Sequence, residues 1–136
     1  MTRGERNNNP GNIRHGADWQ GMAAQQNDSS FVTFTNAFWG IRALCKVLLS
    51  YQRKSGLWTI REMIERWAPP NENDTAAYVS AVSKEVGVPP DDHIALGADV
   101  AHLEKIARAI IHHENGQVSY KDEVIKSAAE AALEVV

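Results

Sequence analysis

The stretch DVAHLEKIARAIIHHENG, Asp99 to Gly116, decides both the fold class and the place to look for chemistry. Leu103, Ile106, Ala107, Ile110 and Ile111 recur at intervals of three and four, which predicts a helix from about Asp99 to Asn115 with one apolar stripe and a stop at Gly116. Glu114 follows Ile110 by four positions and Ala107 by seven, so the same spacing lays a carboxyl on that stripe. There it is partly desolvated and faces the negative end of the helix dipole, and both effects disfavour the anion. A glycosidase needs such a protonated carboxyl to donate a proton to a leaving glycosidic oxygen. The same position also reads as a helix end frayed into solvent.

Working outward, the same period recurs upstream. Phe38, Ile41, Leu44, Cys45, Leu48 and Tyr51 predict a long helix beginning after Asn36 and stopped by Gly56. Thr59-Ile60-Arg61-Glu62 is a capping box for a short helix through Met63, Ile64 and Trp67, ended by Pro69-Pro70. Asn73 or Asp74 can cap the next, which carries Tyr78, Val79, Val82 and Val86 up to Gly87. After Gly116, Ser119 to Asp122 opens a last helix with Val124, Ile125, Ala128, Ala132 and Leu133 on its docking face. Five helices around one core, spanning residues 1–136 as one domain, is the expected architecture. Residues up to about Thr35 read as loop, with Val32-Thr33 between Phe31 and Phe34 as a short strand of a small hairpin.

Several classes of chemistry are disfavoured. The net charge of −3, from 14 basic and 17 acidic residues, does not mark a nucleic-acid surface. No apolar run is long enough to cross a bilayer, and no signal peptide is visible, so cytoplasmic synthesis is expected. The one cysteine, Cys45, falls in an apolar helical pattern and reads as a buried inert thiol. His112 and His113 are adjacent and so point about 100° apart on a helix, while His15, His93 and His102 lie elsewhere; no metal site and no cofactor are expected.

The N-terminal segment has a different composition. Arg6-Asn7-Asn8-Asn9-Pro10-Gly11-Asn12-Ile13 favours turns, in which amide side chains bond nearby backbone. The same amides would suit a ligand rich in hydroxyl and N-acetyl groups, so Asn7, Asn8, Asn9 and Asn12 are candidate sugar-binding residues.

Together with Trp19-x-Gly21, Phe34, Gly40-Ile41-Arg42-Ala43, Tyr51, the run Trp67-Ala68-Pro69-Pro70-Asn71-Glu72-Asn73-Asp74-Thr75 and Tyr78, this segment resembles a family of small phage and prophage proteins described as virion structural proteins or lysozyme-like endolysins. The resemblance covers roughly Arg3 to Gly116. A weaker similarity links the same segments to the glucosaminidase and lytic transglycosylase group of lysozyme-like enzymes. That group places its catalytic Glu upstream of the Asn loop, whereas here the apolar-helix-then-Glu signature lies downstream, at Glu114. A circularly permuted lysozyme-like domain, mainly α, is the implied fold. Glu5, beside the loop and flanked by Arg3 and Arg6, is the competing acid.

The resemblance implies cleavage of peptidoglycan glycan strands, by a lytic transglycosylase or a muramidase or glucosaminidase, with Glu114 catalytic. It adds Tyr78, Glu72 and Thr75 to the substrate-binding set, with Trp67 as a further aromatic face. Glu72 and Asp74 are also the available second carboxylates for a hydrolase, or else turn and cap residues. Action in the periplasm or cell wall would require release or delivery, with virion or secretion components as further partners. The alternative is a catalytically inactive virion or tail structural protein of the same fold.

Overall fold

In the computed structural model, which describes residues 1–134, side chains cap the starts of four helices and left-handed glycines close the ends of three. Helix α1 is a single turn, Arg3–Arg6, closed by a reciprocal capping box: Thr2 Oγ1 accepts from the Glu5 amide and Glu5 Oε1 accepts from the Thr2 amide at 2.8 Å. Helix α2 spans Ala37–Ser55 and ends at Gly56 in the left-handed conformation, where glycine carries no Cβ penalty. Thr59 caps α3 (Ile60–Trp67), and Asp74 rather than Asn73 caps α4 (Thr75–Val86). Helix α5 (Val100–Asn115) is capped by Asp99 and stopped by Gly116, and α6 covers Asp122–Leu133. The protein is thus mainly α, with six helices rather than five among the described residues; the addition is α1. The last two positions of the expected domain lie outside the described residues.

Helix α6 lies along α2, α5 packs against α4 and α6, and α3 packs against α4. Their shared core holds Ile41, Leu44, Leu48, Ile64, Leu103, Ile106 and Ile110, all fully buried. The Ala128, Ala129 and Ala132 face lets α6 approach closely. Cys45 is buried here, and burial pushes its thiol up to about 12, so it stays protonated and inert. Buried Gln52 ties the α4–α5 connection to α2 by donating to the Ile94 carbonyl at 2.6 Å and accepting from the Leu96 amide at 2.9 Å.

Residues 7–35 form no regular strand; the expected hairpin reduces to two isolated antiparallel bridges, Arg14 with Phe31 and Met22 with Phe34. The Asn loop crosses α2 so closely that a Cβ at Gly40 would run into the Asn8 carbonyl oxygen. Gly21, with φ +84°, likewise has no room for a Cβ against the Trp39 indole. The Gly40 and Trp19-x-Gly21 motifs are therefore packing requirements.

Candidate functional site

Asn7, Asn8 and Asn9 are not in a binding groove. Asn9 is fully buried; its Nδ2 donates to the Ile13 and Val32 carbonyls and its Oδ1 accepts from the Ile13 amide, each at 2.9 Å. Asn7 is also buried and donates to the Arg3 carbonyl and to Asp28, while accepting from the Thr33 hydroxyl. Asn8 takes a positive φ and donates to the Phe34 carbonyl. These three amides are committed to backbone and side-chain groups within the segment, and their assignment to substrate is corrected accordingly. The neighbouring Asp28 is held well below the usual carboxylate range by Arg3, with further bonds from the Ser30 and Phe31 amides and Asn7.

Asn12 behaves differently. Left-handed at φ +52°, it reaches across to donate its Nδ2 to Glu114 Oε1 at 3.0 Å, while its buried Oδ1 has no partner. Tyr78, buried on α4, donates its hydroxyl to Glu114 Oε2 at 2.9 Å. Burial first, and the adjacent Glu114 charge second, push the Tyr78 phenol far above its ordinary range, so it acts only as the neutral O–H. Behind it, the His113 ring stacks on the Tyr78 ring with centroids 3.7 Å apart. Glu114, half-buried at the end of α5, therefore has both oxygens fixed by residues 102 and 36 positions away in sequence.

This carboxyl lies in the wall of an open cleft of about 450 Å³. Asn12, Arg14 and Phe31 from the N-terminal segment, Val47 and Tyr51 from α2, Trp67 from α3, and Glu72 and Asn73 from the following turn complete it. Tyr78 touches the site through Glu114 rather than by lining the cleft. Thr75 is buried with its hydroxyl on the Ala68 carbonyl, and Asp74 is spent on its cap, accepting from the Ala77 amide; neither faces the cleft. Arg14, Phe31, Tyr51 and Asn73 escaped the sequence-based set because no periodicity joins residues contributed by three separate segments.

Glu5 is tied elsewhere. Its carboxylate accepts from Ser119 and Gln117 as well as Thr2, and these bonds, that from Ser119 foremost, lower it to about 2. It is held ionised by hydroxyl and amide donors, not by its flanking arginines. The histidines are dispersed as well: His112 meets Glu85, His102 meets Asp99, His93 stacks on Trp58 and His15 bonds the Asp28 carbonyl.

Fold and site together define a mainly helical domain with a carboxyl held inside a cleft lined by aromatic, amide and charged side chains. Over 132 residues, which are 94% of this chain and 80% of the other, it is 36% identical to Protein P5 of Pseudoalteromonas phage PM2. The chain belongs to the family of that phage protein. No protein-family model matches it.

Proposed function

We propose that this chain cleaves peptidoglycan glycan strands as a phage-type lytic enzyme, with Glu114 as general acid and then base. The observation that carries this reading is the Asn12–Glu114–Tyr78 constellation beside Trp67, Tyr51 and Phe31. An ionised carboxylate has about four lone-pair directions, and Asn12 and Tyr78 occupy two. The others are available for a proton and a substrate oxygen. The two fixed contacts preorganise the group, which is worth more than strength of binding when a proton must arrive at one atom. Aromatic faces in the cleft suit the apolar faces of sugar rings.

The transglycosylase version needs this one carboxyl. Glu114 gives its proton to the bridging oxygen as the bond to the anomeric carbon breaks; the muramic acid's own hydroxyl then bonds that carbon and returns a proton to Glu114. A hydrolase would use Glu72, which also lines the cleft, to position water or a charged intermediate. Glu72 is exposed on a turn, which supports the single-carboxyl version. The meeting of the Asn loop with the end of α5, and of Thr2 with Asn115 at 2.6 Å, supports a lysozyme-like domain in permuted order. Such an enzyme would reach the wall by release or by delivery with virion or secretion components.

Zymography on purified sacculi, followed by mass spectrometry of the products, tests the reading. Clearing by the wild type and by Glu5→Gln, none by Glu114→Gln, and anhydro ends on the products are expected. Products without the anhydro ring would select the hydrolase. A second reading, a catalytically inactive virion or tail component, draws on the same contacts: a carboxylate with both oxygens on internal donors is also a structural staple. It gains the case if wild type never clears the gel and Glu114→Gln mainly lowers stability.

A further inference from the structure

The cleft contains one cation that no internal group uses. Arg14 is exposed at its wall, and among the described residues no carboxylate lies within ion-pair distance of it. Arg3 pairs with Asp28, Arg61 with Asp91 and Arg108 with Asp122, whereas Arg14, like Arg6, Arg42, Arg53 and Arg66, has no such pair among the described residues; of these five, Arg14 is the one that lines the cleft. Arg14 is nevertheless not adrift. The Arg14–Phe31 bridge, flanked by the Val32 amide on the Ile13 carbonyl and the His15 amide on the Ser30 carbonyl, fixes its backbone. Its guanidinium lies over the Phe31 ring, 5.3 Å from the ring centre. A planar cation held on an aromatic face keeps its donor edge free for a carboxylate.

The rest of the cleft makes this notable. Glu72 and Glu114 line the same space, and the whole chain carries −3. An anionic ligand approaching such a surface is repelled unless a local cation compensates, while a neutral sugar would need none. We infer that Arg14 is a specificity-determining residue: it binds a carboxylate substituent of the glycan, so that the cleft takes acidic strands in preference to neutral ones of the same backbone. The inference rests on the glycan reading of the cleft, but it concerns binding and does not require cleavage.

The test uses the full chain and two probes: peptide-free muramyl glycan strands with their carboxylates intact, and the same strands with the carboxyls converted to methylamides. Binding is measured by calorimetry with Glu114→Gln, and cleavage with the wild type. Amidation should weaken binding about fivefold at low salt, the scale of an exposed charge pair, and the preference should fade as salt screens it. Adding Arg14→Gln should bring binding of the intact strand down to that of the amidated one, with Arg14→Lys restoring part of it. In cleavage assays the difference should appear in KM and leave kcat unchanged. Equal binding of both strands, binding of neither, or a preference that survives Arg14→Gln would overturn the inference. Preferential binding without any cleavage would leave it standing and remove the enzymatic reading instead.

Discussion

Residues 1–35 and residues 37–133 solve the same problem by opposite means. In the helical body, main-chain groups satisfy one another within each helix, and side chains are left to fill the core: Ile41, Leu44, Leu48, Leu103 and Ile106 bury completely. In the N-terminal segment almost no main chain is regular, and side chains share the duty with irregular main-chain bonds, Asn7, Asn8, Asn9 and Gln26 bonding carbonyls and amides nearby or about two dozen positions away. Ile13, Val32 and Phe34 are the core side chains it buries, with Trp19 and Met22 packed partly buried against them. Buried peptide groups must find partners in either case, but a segment held by amides depends on individual atoms where a core depends on volume. The cleft lies along the seam between the two, and takes residues from both.

The seam itself should give the largest effect. Glu114→Gln is expected to lower glycan cleavage by about 10²–10⁴-fold, the usual contribution of a positioned acid–base group, with both regions still folded by circular dichroism. A loss of fold of similar size would mean that the carboxylate holds the two regions together and is not chiefly chemical. Within the helical body, Leu48→Ala should cost about 2–5 kcal/mol in urea unfolding, from lost transfer energy plus the cavity. In the N-terminal segment, Asn9→Ala removes no comparable volume but strands the Ile13 amide and the Val32 carbonyl, while the Ile13 carbonyl keeps the Val32 amide, at about 1–3 kcal/mol for each group left unsatisfied. Equal sensitivity of all spectroscopic probes to both substitutions would show one cooperative unit; loss confined to Trp19 fluorescence in Asn9→Ala would separate the regions.

Asn12→Ala should cost less stability than Asn9→Ala, about 0.5–1.5 kcal/mol for one net hydrogen bond, yet reduce cleavage more. The smallest effect concerns acid. Glu5 is lowered to about 2 from 4.5, so the stabilisation it gives is complete above pH 4.5 and is lost as the pH falls from there toward 2. Asp28, also lowered, loses its Arg3 bond in still stronger acid. Amide exchange in α1 should therefore accelerate over that window before exchange in α2 does, and Glu5→Gln should flatten the dependence. Identical profiles for wild type and Glu5→Gln would discount the Ser119 and Gln117 contacts.

The same contrast explains what could be read from residues alone. Helices α2 to α6 were legible from their apolar period, reinforced by side-chain caps at α3, α4 and α5 and by the glycine stops Gly56, Gly87 and Gly116 at α2, α4 and α5. Helix α1 was missed: one turn is too short for a period, although Thr2-x-x-Glu5 is itself a capping-box signature. The asparagines show the limit most clearly. Asn9 and Asn12 are chemically identical and three positions apart, yet one serves backbone inside the loop and the other holds Glu114; composition gives the donors but not their direction. Thr75 failed for a similar reason, since a hydroxyl at the start of a helix has a backbone acceptor within reach. A helical stripe singles out Glu114 and a resemblance singles out Tyr78, and the structure brings the two side chains into contact across 36 positions.

Among the described residues, the bonds that join the first residues to the end of α5 and the turn after it close the longest loops: Asn12 to Glu114 spans 102 positions, Thr2 to Asn115 spans 113 and Ser119 to Glu5 spans 114. Closing a loop costs entropy that rises with its length, and a few polar contacts on a half-exposed surface return little until the helices have already gathered the chain. The site is consequently a late event in folding and an early one in unfolding. On gentle heating the helical body should keep its circular dichroism while the N-terminal turn lifts from α5 and Asn12 leaves Glu114, so that function is lost several degrees before the protein melts, and is recovered on cooling without refolding of the core.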